Sequence, residues 1–303
     1  MTVPAPSIPA LRAFLTLLVL FLASHAGFAQ QATSETEYSP TVGQPGKDVV
    51  WVPTSDAVVE RMLKMANVGA TDYVIDLGSG DGRTVIAAAQ KFGARALGIE
   101  YNPDMVALSR RNAAEAGVTH KVEFIEGDIF EADFTQATVL TMYLLPSLNL
   151  KLRPLILALR PGTRVVSHAF DMADWDADQK ITVEDSDAYL WIVPADVHGN
   201  WRVSRTGPVA RESWALRLVQ DFQVLYGQVH VADARFRLTE GLIRGEEVTF
   251  EFIDASGTRR EFSGHADGGR MDGTLRSQDG TSENWSAVRD RADGSLLEID
   301  LSY

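Results

Sequence analysis

The sequence predicts an α/β fold, a parallel sheet with helices on both faces, followed by a small all-β domain that is a barrel or a sandwich. Three observations carry this. Short apolar strand-like runs alternate with helical ones over residues 50–198, the pattern of a helix-covered parallel sheet. A glycine-rich turn, Gly78-Ser79-Gly80-Asp81-Gly82, joins a strand to a helix. Beyond residue 198 the pattern changes to period two, with glycine turns, one proline (Pro208) and no lysine, which suits antiparallel strands.

The first 29 residues stand apart. Leu11–Ala23 is an almost unbroken apolar run with Arg12 near its start, and Gly27 and Ala29 are small residues before a cleavage point at Gln30. This reads as a secretory signal peptide and predicts export, to the periplasm. The alternatives are an uncleaved anchor, for which the run is short of the ~20 residues that span a bilayer, and a misassigned start codon, which would leave the protein cytoplasmic. No later stretch is apolar enough to span, so no stable membrane insertion is expected after signal cleavage.

Residues 30–49 are polar with Pro and Gly, a linker or an arm laid on the surface. Candidate strands of the α/β domain, residues 50–198, are Tyr73–Leu77, Ala96–Glu100, Val122–Glu126, Thr138–Tyr143 and Arg164–Phe170. Candidate helices are Thr84–Phe92, Pro103–Ala116 and Leu148–Leu159, with a loop at Gly127–Ala137. Ile181–Val183 and Tyr189–Val193 flank Asp185-Ser186-Asp187 as a hairpin ending the sheet. In the all-β domain, residues 199–303, Trp214/Leu216/Leu218 and Val248/Phe250/Phe252 alternate. Asp267-Gly268-Gly269, Asp272-Gly273 and Asp279-Gly280 read as tight turns, and Trp201, Trp214 and Trp285 as core.

Composition narrows the chemistry. With no cysteine among 303 residues, disulfides, thiolate zinc sites, iron–sulfur clusters and a cysteine nucleophile are excluded. The net charge of −13 disfavours nucleic-acid phosphates and favours a basic partner. No metal site is expected: the acidic run Asp171, Asp174, Asp176, Asp178 lacks the glycine hinge and closing glutamate of a calcium loop. That run reads as a solvated loop or a landing surface for a basic substrate.

The informative stretch is Asp76-Leu77-Gly78-Ser79-Gly80-Asp81-Gly82-Arg83. Its glycines permit positive φ and close approach of a ligand to the backbone, and the helix N-terminus offers free N–H groups. Glu100, 22 residues after Gly78 at the end of the next strand, can hold a ribose diol. Gly127-Asp128 puts another acceptor at the same sheet edge. Arg83 stands where a nicotinamide fingerprint has its third glycine, and the acidic loop suits a cofactor with an ammonium and a sulfonium better than a pyrophosphate.

These residues, with Gly98-Ile99-Glu100, resemble the first motifs of the class I (seven-β-strand, Rossmann-like) S-adenosylmethionine-dependent methyltransferases. Val52-Pro53-Thr54, Asp81-Gly82-Arg83-Thr84 and Tyr101-Asn102-Pro103 are further similar to the mitochondrial lysine methyltransferases of an ATP-synthase subunit and the adenine nucleotide carrier. The resemblance covers residues 50–193. It implies that Gly78, Ser79, Gly80 and Gly82 hold the amino-acid end of S-adenosyl-L-methionine, with Asp76 near its ammonium. It implies that Glu100 binds the ribose, Tyr101 flanks the adenine, and Asp128 and the Ile129 backbone meet the adenine edge. Thr54, before the first helix, closes over the cofactor or serves as that helix's N-cap.

After the fourth strand, Thr141-Met142-Tyr143-Leu144-Leu145-Pro146 replaces the polar Pro-Pro motif common in methyltransferases of nucleobase amines. Tyr143 is thus a candidate wall of the methyl-transfer site or a core aromatic, and His168 a base at the pocket rim or a structural residue. The expected function is N-methylation of a lysine on a basic protein. An exported binding protein with this fold and no turnover, and a small-molecule methyltransferase, are the alternatives.

Overall fold

The structure, a computed structural model, describes residues 1–2, 38–206 and 211–290. The signal-peptide reading falls almost wholly on residues outside that range. From Pro40 onward the described residues pack as one compact unit.

The elements in chain order are α1 (Asp56–Met65), β1 (Tyr73–Leu77), α2 (Arg83–Phe92), β2 (Arg95–Glu100), α3 (Pro103–Glu115), β3 (Val122–Glu126), β4 (Val139–Met142), α4 (Pro146–Leu157), β5 (Arg164–His168), β6 (Gln179–Val183) and β7 (Ser186–Ile192). They build a seven-stranded sheet of order β3-β2-β1-β4-β5-β7-β6. β1 to β5 are parallel to their neighbours; β7 returns antiparallel to β5, and β6 to β7. Strand order reverses beside β1, which places a crevice at the carboxyl ends of β1 and β4.

Period-two alternation divides each strand between two cores. On one face Val74, Ala96, Val139 and Val166 meet Val58, Val59, Met62 and Leu63 of α1, Val85 and Ala88 of α2, and Val106 of α3. On the other, Ile75, Leu77, Ile99 and Leu140 meet Leu152 and Ile156 of α4, with Phe134, Met172 and Trp175 from loops. The first helix is capped by Ser55, whose hydroxyl accepts from the Val58 N–H at 3.3 Å. Thr54 is therefore not its N-cap. β5 ends at His168, two residues before the expected end, because Ala169 turns the chain with φ of 64°. Glu184 and Asp185, both at positive φ, make the tight turn between β6 and β7.

The second part is a closed barrel: β8 (Gly199–Thr206), β9 (Arg211–Asp221), β10 (Val224–Val231), β11 (Ala234–Arg244), β12 (Glu247–Ile253), β13 (Arg259–Asp267), β14 (Arg270–Ser277) and β15 (Ser282–Arg289), with β15 pairing back onto β8. Trp201, Trp214 and Trp285 lie in its core with Phe250, Phe252 and Phe262. Gly268 and Gly280 sit in the turns before β14 and β15. Asp272-Gly273 is not a turn. Gly273 lies inside β14 opposite Gly264, and a side chain there would overlap the Ser263 carbonyl. Gly264 leaves room for the Trp285 ring, and Gly273 for the close approach of the Ser263–Gly264 backbone.

The barrel meets the α/β part at a packed junction. The Ala195 N–H donates to the Gly245 carbonyl at 2.7 Å, Trp175 stacks on Phe222 at 5.7 Å, and Gln223 Nε2 donates to the Asp176 carbonyl at 2.8 Å. Asp178 accepts from the Ile192 N–H at 2.7 Å and faces Arg244, and Asp174 pairs with Arg153. Part of the acidic run is thus spent on holding structure. Among the described residues, no helix is long and apolar enough to cross a membrane.

Candidate active site

The crevice at the carboxyl ends of β1, β2 and β4 is a cavity of about 670 Å³. Its floor is the glycine loop. Gly78 and Gly80 hold φ of 76° and 55°, strained for any other residue, and the Gly78 and Ser79 N–H groups both donate to the Ile99 carbonyl at 2.9 and 3.1 Å. This strap fixes the loop to β2. Gly98 is small because Ser79 packs against it.

Glu100 closes one side. Its carboxylate accepts from the Gly80 N–H at 2.9 Å and from the Asn102 N–H at 3.0 Å. It is held in place by backbone donors, with lone pairs left for a diol. Asn102 caps α3, accepting from the Asp104 N–H at 2.9 Å, and Pro103 fixes the first helical turn. Asp76 lies beneath the loop, buried, and accepts from the Thr141 hydroxyl at 2.6 Å. Burial pushes its carboxyl up to about 7, with Glu100 adding to the rise. A cationic group in the cavity would reverse that shift.

Asp128 accepts from the Phe130 N–H at 2.9 Å and pairs with Lys47, which holds its carboxyl below the usual range. Lys47 also lies 4.9 Å from the centre of the Tyr101 ring. It belongs to a segment, Gln44 to Thr54, that lines the cavity opposite the loop. The Gly43 N–H donates to the Trp51 carbonyl and the Trp51 N–H to the Gln44 carbonyl, and the Trp51 indole rests where a Gly80 side chain would be. Residues 44–49 of the expected arm thus form part of the cavity wall.

At the β4 end the wall becomes apolar: Met142, Tyr143, Leu144, Leu145, Leu148 and Phe170. Tyr143 and Phe170 are stacked at 6.2 Å. Thr54, Asp76, Gly78, Ser79, Gly80, Glu100, Tyr101, Asp128, Ile129 and Tyr143 all line this one cavity. Gly82 does not. It is the N-cap of α2 at φ of 81°, and a side chain there would strike Phe124 and Ser109. His168 is also absent from the wall, behind Tyr143. Sequence reasoning passed over Lys47 and Trp51, whose partners lie far along the chain.

The residues present fit a nucleoside carrying a charged amino-acid end. Gly80 admits no side chain beneath Trp51, the Ser79 hydroxyl is buried without a partner among the described residues, and a cation would stabilise the buried Asp76 carboxylate. The fold and this cavity define an S-adenosylmethionine-dependent methyltransferase. The family described as the ANTKMT methyltransferase domain matches residues 76–179. A protein-lysine N-methyltransferase of Saccharolobus islandicus is 42% identical over 151 residues, 48% of this chain and 94% of the relative. The chain belongs to this methyltransferase family. The adenine nucleotide translocase lysine N-methyltransferase of Mus musculus is 35% identical over 155 residues, 50% of this chain but only 65% of that relative's length. An RNA methyltransferase from Salinibacter ruber, solved with S-adenosyl-L-homocysteine, is 54% identical, covering 48% of this chain and 96% of that one, with a TM-score of 0.48.

Proposed function

We propose that the chain methylates the side-chain amine of lysine on a basic protein, with Tyr143 lining the acceptor channel. The observation that carries this is the division of one cavity into an acidic end, Asp76 and Glu100, and an apolar aromatic end, Met142, Tyr143, Leu144 and Phe170. The names of the Saccharolobus and Mus relatives support the acceptor, as does the net charge of −10 over residues 30–198, from 14 Lys+Arg and 24 Asp+Glu.

S-adenosylmethionine, when bound, supplies an electrophilic methyl group and leaves as a neutral thioether. Asp76 and the Ser79 hydroxyl would hold the amino-acid end, Glu100 the ribose, and Tyr101, Asp128 and Ile129 the adenine. The Tyr143 wall excludes water and desolvates the incoming amine. Desolvation disfavours the ammonium and so favours the neutral amine that attacks. The protein needs no acid for the leaving group; its contribution is alignment.

The test is methyl-tritiated cofactor added with the protein to a lysate, followed by separate protease and nuclease digestion. Counts released as methylated lysine are expected; counts confined to RNA or to a small metabolite overturn the reading. We also propose that residues 1–29 direct export. N-terminal sequencing of the protein from cell fractions tests it: a mature chain beginning at Gln30 is expected, and a cytosolic chain beginning at Met1 overturns it.

A further inference from the structure

We infer that His168 is a positioning residue for methyl transfer, acting through Thr54 and Tyr143 rather than touching the substrates. The inference rests on the reading of the cavity given above. His168 is the last residue of β5, 5% exposed, and lies behind the cavity wall. Its Nδ1 shares a buried hydrogen bond of 3.0 Å with the Thr54 hydroxyl. Its ring lies 4.0 Å from that of Tyr143, tilted by 41°. Both partners are wall residues, one from the 44–54 segment and one from the β4 end. The Thr54 carbonyl in turn accepts from Arg83 Nη1 at 2.7 Å, and Arg83 is held by Asp81. One imidazole therefore ties the 44–54 segment, the β4 loop and the β5 end into a single wall, and Thr54 carries the tie to the start of α2.

The same geometry argues against a proton-accepting role. Nδ1 is committed to Thr54, and Nε2 is buried with no partner among the described residues through which a proton could leave. Burial also holds the imidazole below the usual histidine range, so this ring adds no positive charge beside the aromatic end to oppose a cationic cofactor or an approaching amine. A neutral ring that fixes a hydroxyl and backs an aromatic wall is a device for alignment, and small misplacements of reacting groups are costly.

The experiment compares His168→Asn, which can keep the bond to Thr54, with His168→Phe, which keeps a ring and loses that bond. Cofactor affinity is measured by titration calorimetry, and turnover and acceptor KM on a protein acceptor. The expected result is cofactor affinity within about twofold of wild type in both variants, with kcat down at least about tenfold in His168→Phe and within about threefold in His168→Asn. Wild-type turnover in His168→Phe overturns the inference, as does a loss of cofactor affinity that parallels the loss of kcat. If His168→Phe does not fold, Thr54→Val alone and combined with His168→Asn decides. Coupled, non-additive losses in kcat support the tie, and additive ones overturn it. Absence of label transfer by the wild-type protein would instead count against the proposed function.

Discussion

The ammonium of Lys47 rests on the carboxylate of Asp128, above the ring of Tyr101. On the proposed roles of Asp128 and Tyr101, Lys47 occupies the place of the adenine edge, and cofactor entry would displace it. Lys47→Ala is expected to bind S-adenosylhomocysteine more tightly, by less than about tenfold because the pair is partly solvated. Titration calorimetry at low and moderate salt checks this, and weaker binding would show that Lys47 clamps the cofactor instead.

Asp76 is expected to make cofactor binding depend on pH. In the free site its carboxyl titrates at about 7, and a bound ammonium pulls that value down. Affinity is therefore expected to rise as pH increases from about 6 to 7, then level off before the cofactor amine itself loses its proton near 8. In the cofactor-free protein the sign for stability is opposite. The folded carboxyl keeps its proton up to about 7 while the unfolded one releases it near 4, so this group's contribution falls as pH rises between those values. Asp76→Asn should flatten the affinity profile between pH 6 and 7, and an unchanged slope in that variant would contradict the assignment.

Glu100 supports the loop and is proposed to bind the ribose. Glu100→Ala frees the N–H groups of Gly80 and Asn102 and is expected to lower stability by about 1–3 kcal/mol while reducing cofactor affinity at least about tenfold. Gly80→Val meets both the positive φ and the Trp51 indole and is expected to lose binding. Denaturant unfolding and calorimetry separate the two effects.

The cavity is built entirely from residues 44–170, whereas the barrel begins at Gly199. A chain ending at His198 is expected to retain cofactor affinity. It also loses the Trp175–Phe222 stack and the Ala195–Gly245 hydrogen bond, so its unfolding midpoint should drop by at least about 4 °C. A well-folded truncated chain that binds no cofactor would show that the barrel completes the site.

What the sequence made legible was local. The glycines at 78 and 80 are required by backbone angles, and Glu100 by its distance along one strand–helix–strand unit. Alternation exposed the strands because each face of the sheet has its own core. Contacts between distant segments were not legible. Lys47 and Asp128 lie 81 residues apart, and Thr54 and His168 lie 114 apart, so no spacing rule joins them. Gly82 shared the loop's pattern but serves packing against Phe124. Asp272-Gly273 had the composition of a turn, yet its glycine answers to barrel curvature, which depends on the facing strand.

The central claim is that one cavity holds S-adenosylmethionine at its acidic end and delivers methyl to a lysine past Tyr143. The measurement is mass spectrometric peptide mapping of a basic protein acceptor after incubation with methyl-deuterated cofactor, using the wild type, Glu100→Ala and Tyr143→Ala. Mass shifts on lysine side chains are expected with the wild type. They should vanish with Glu100→Ala and fall at least about tenfold with Tyr143→Ala at saturating cofactor. Unchanged lysine methylation by both variants, or wild-type label found only on other residues, would contradict the account.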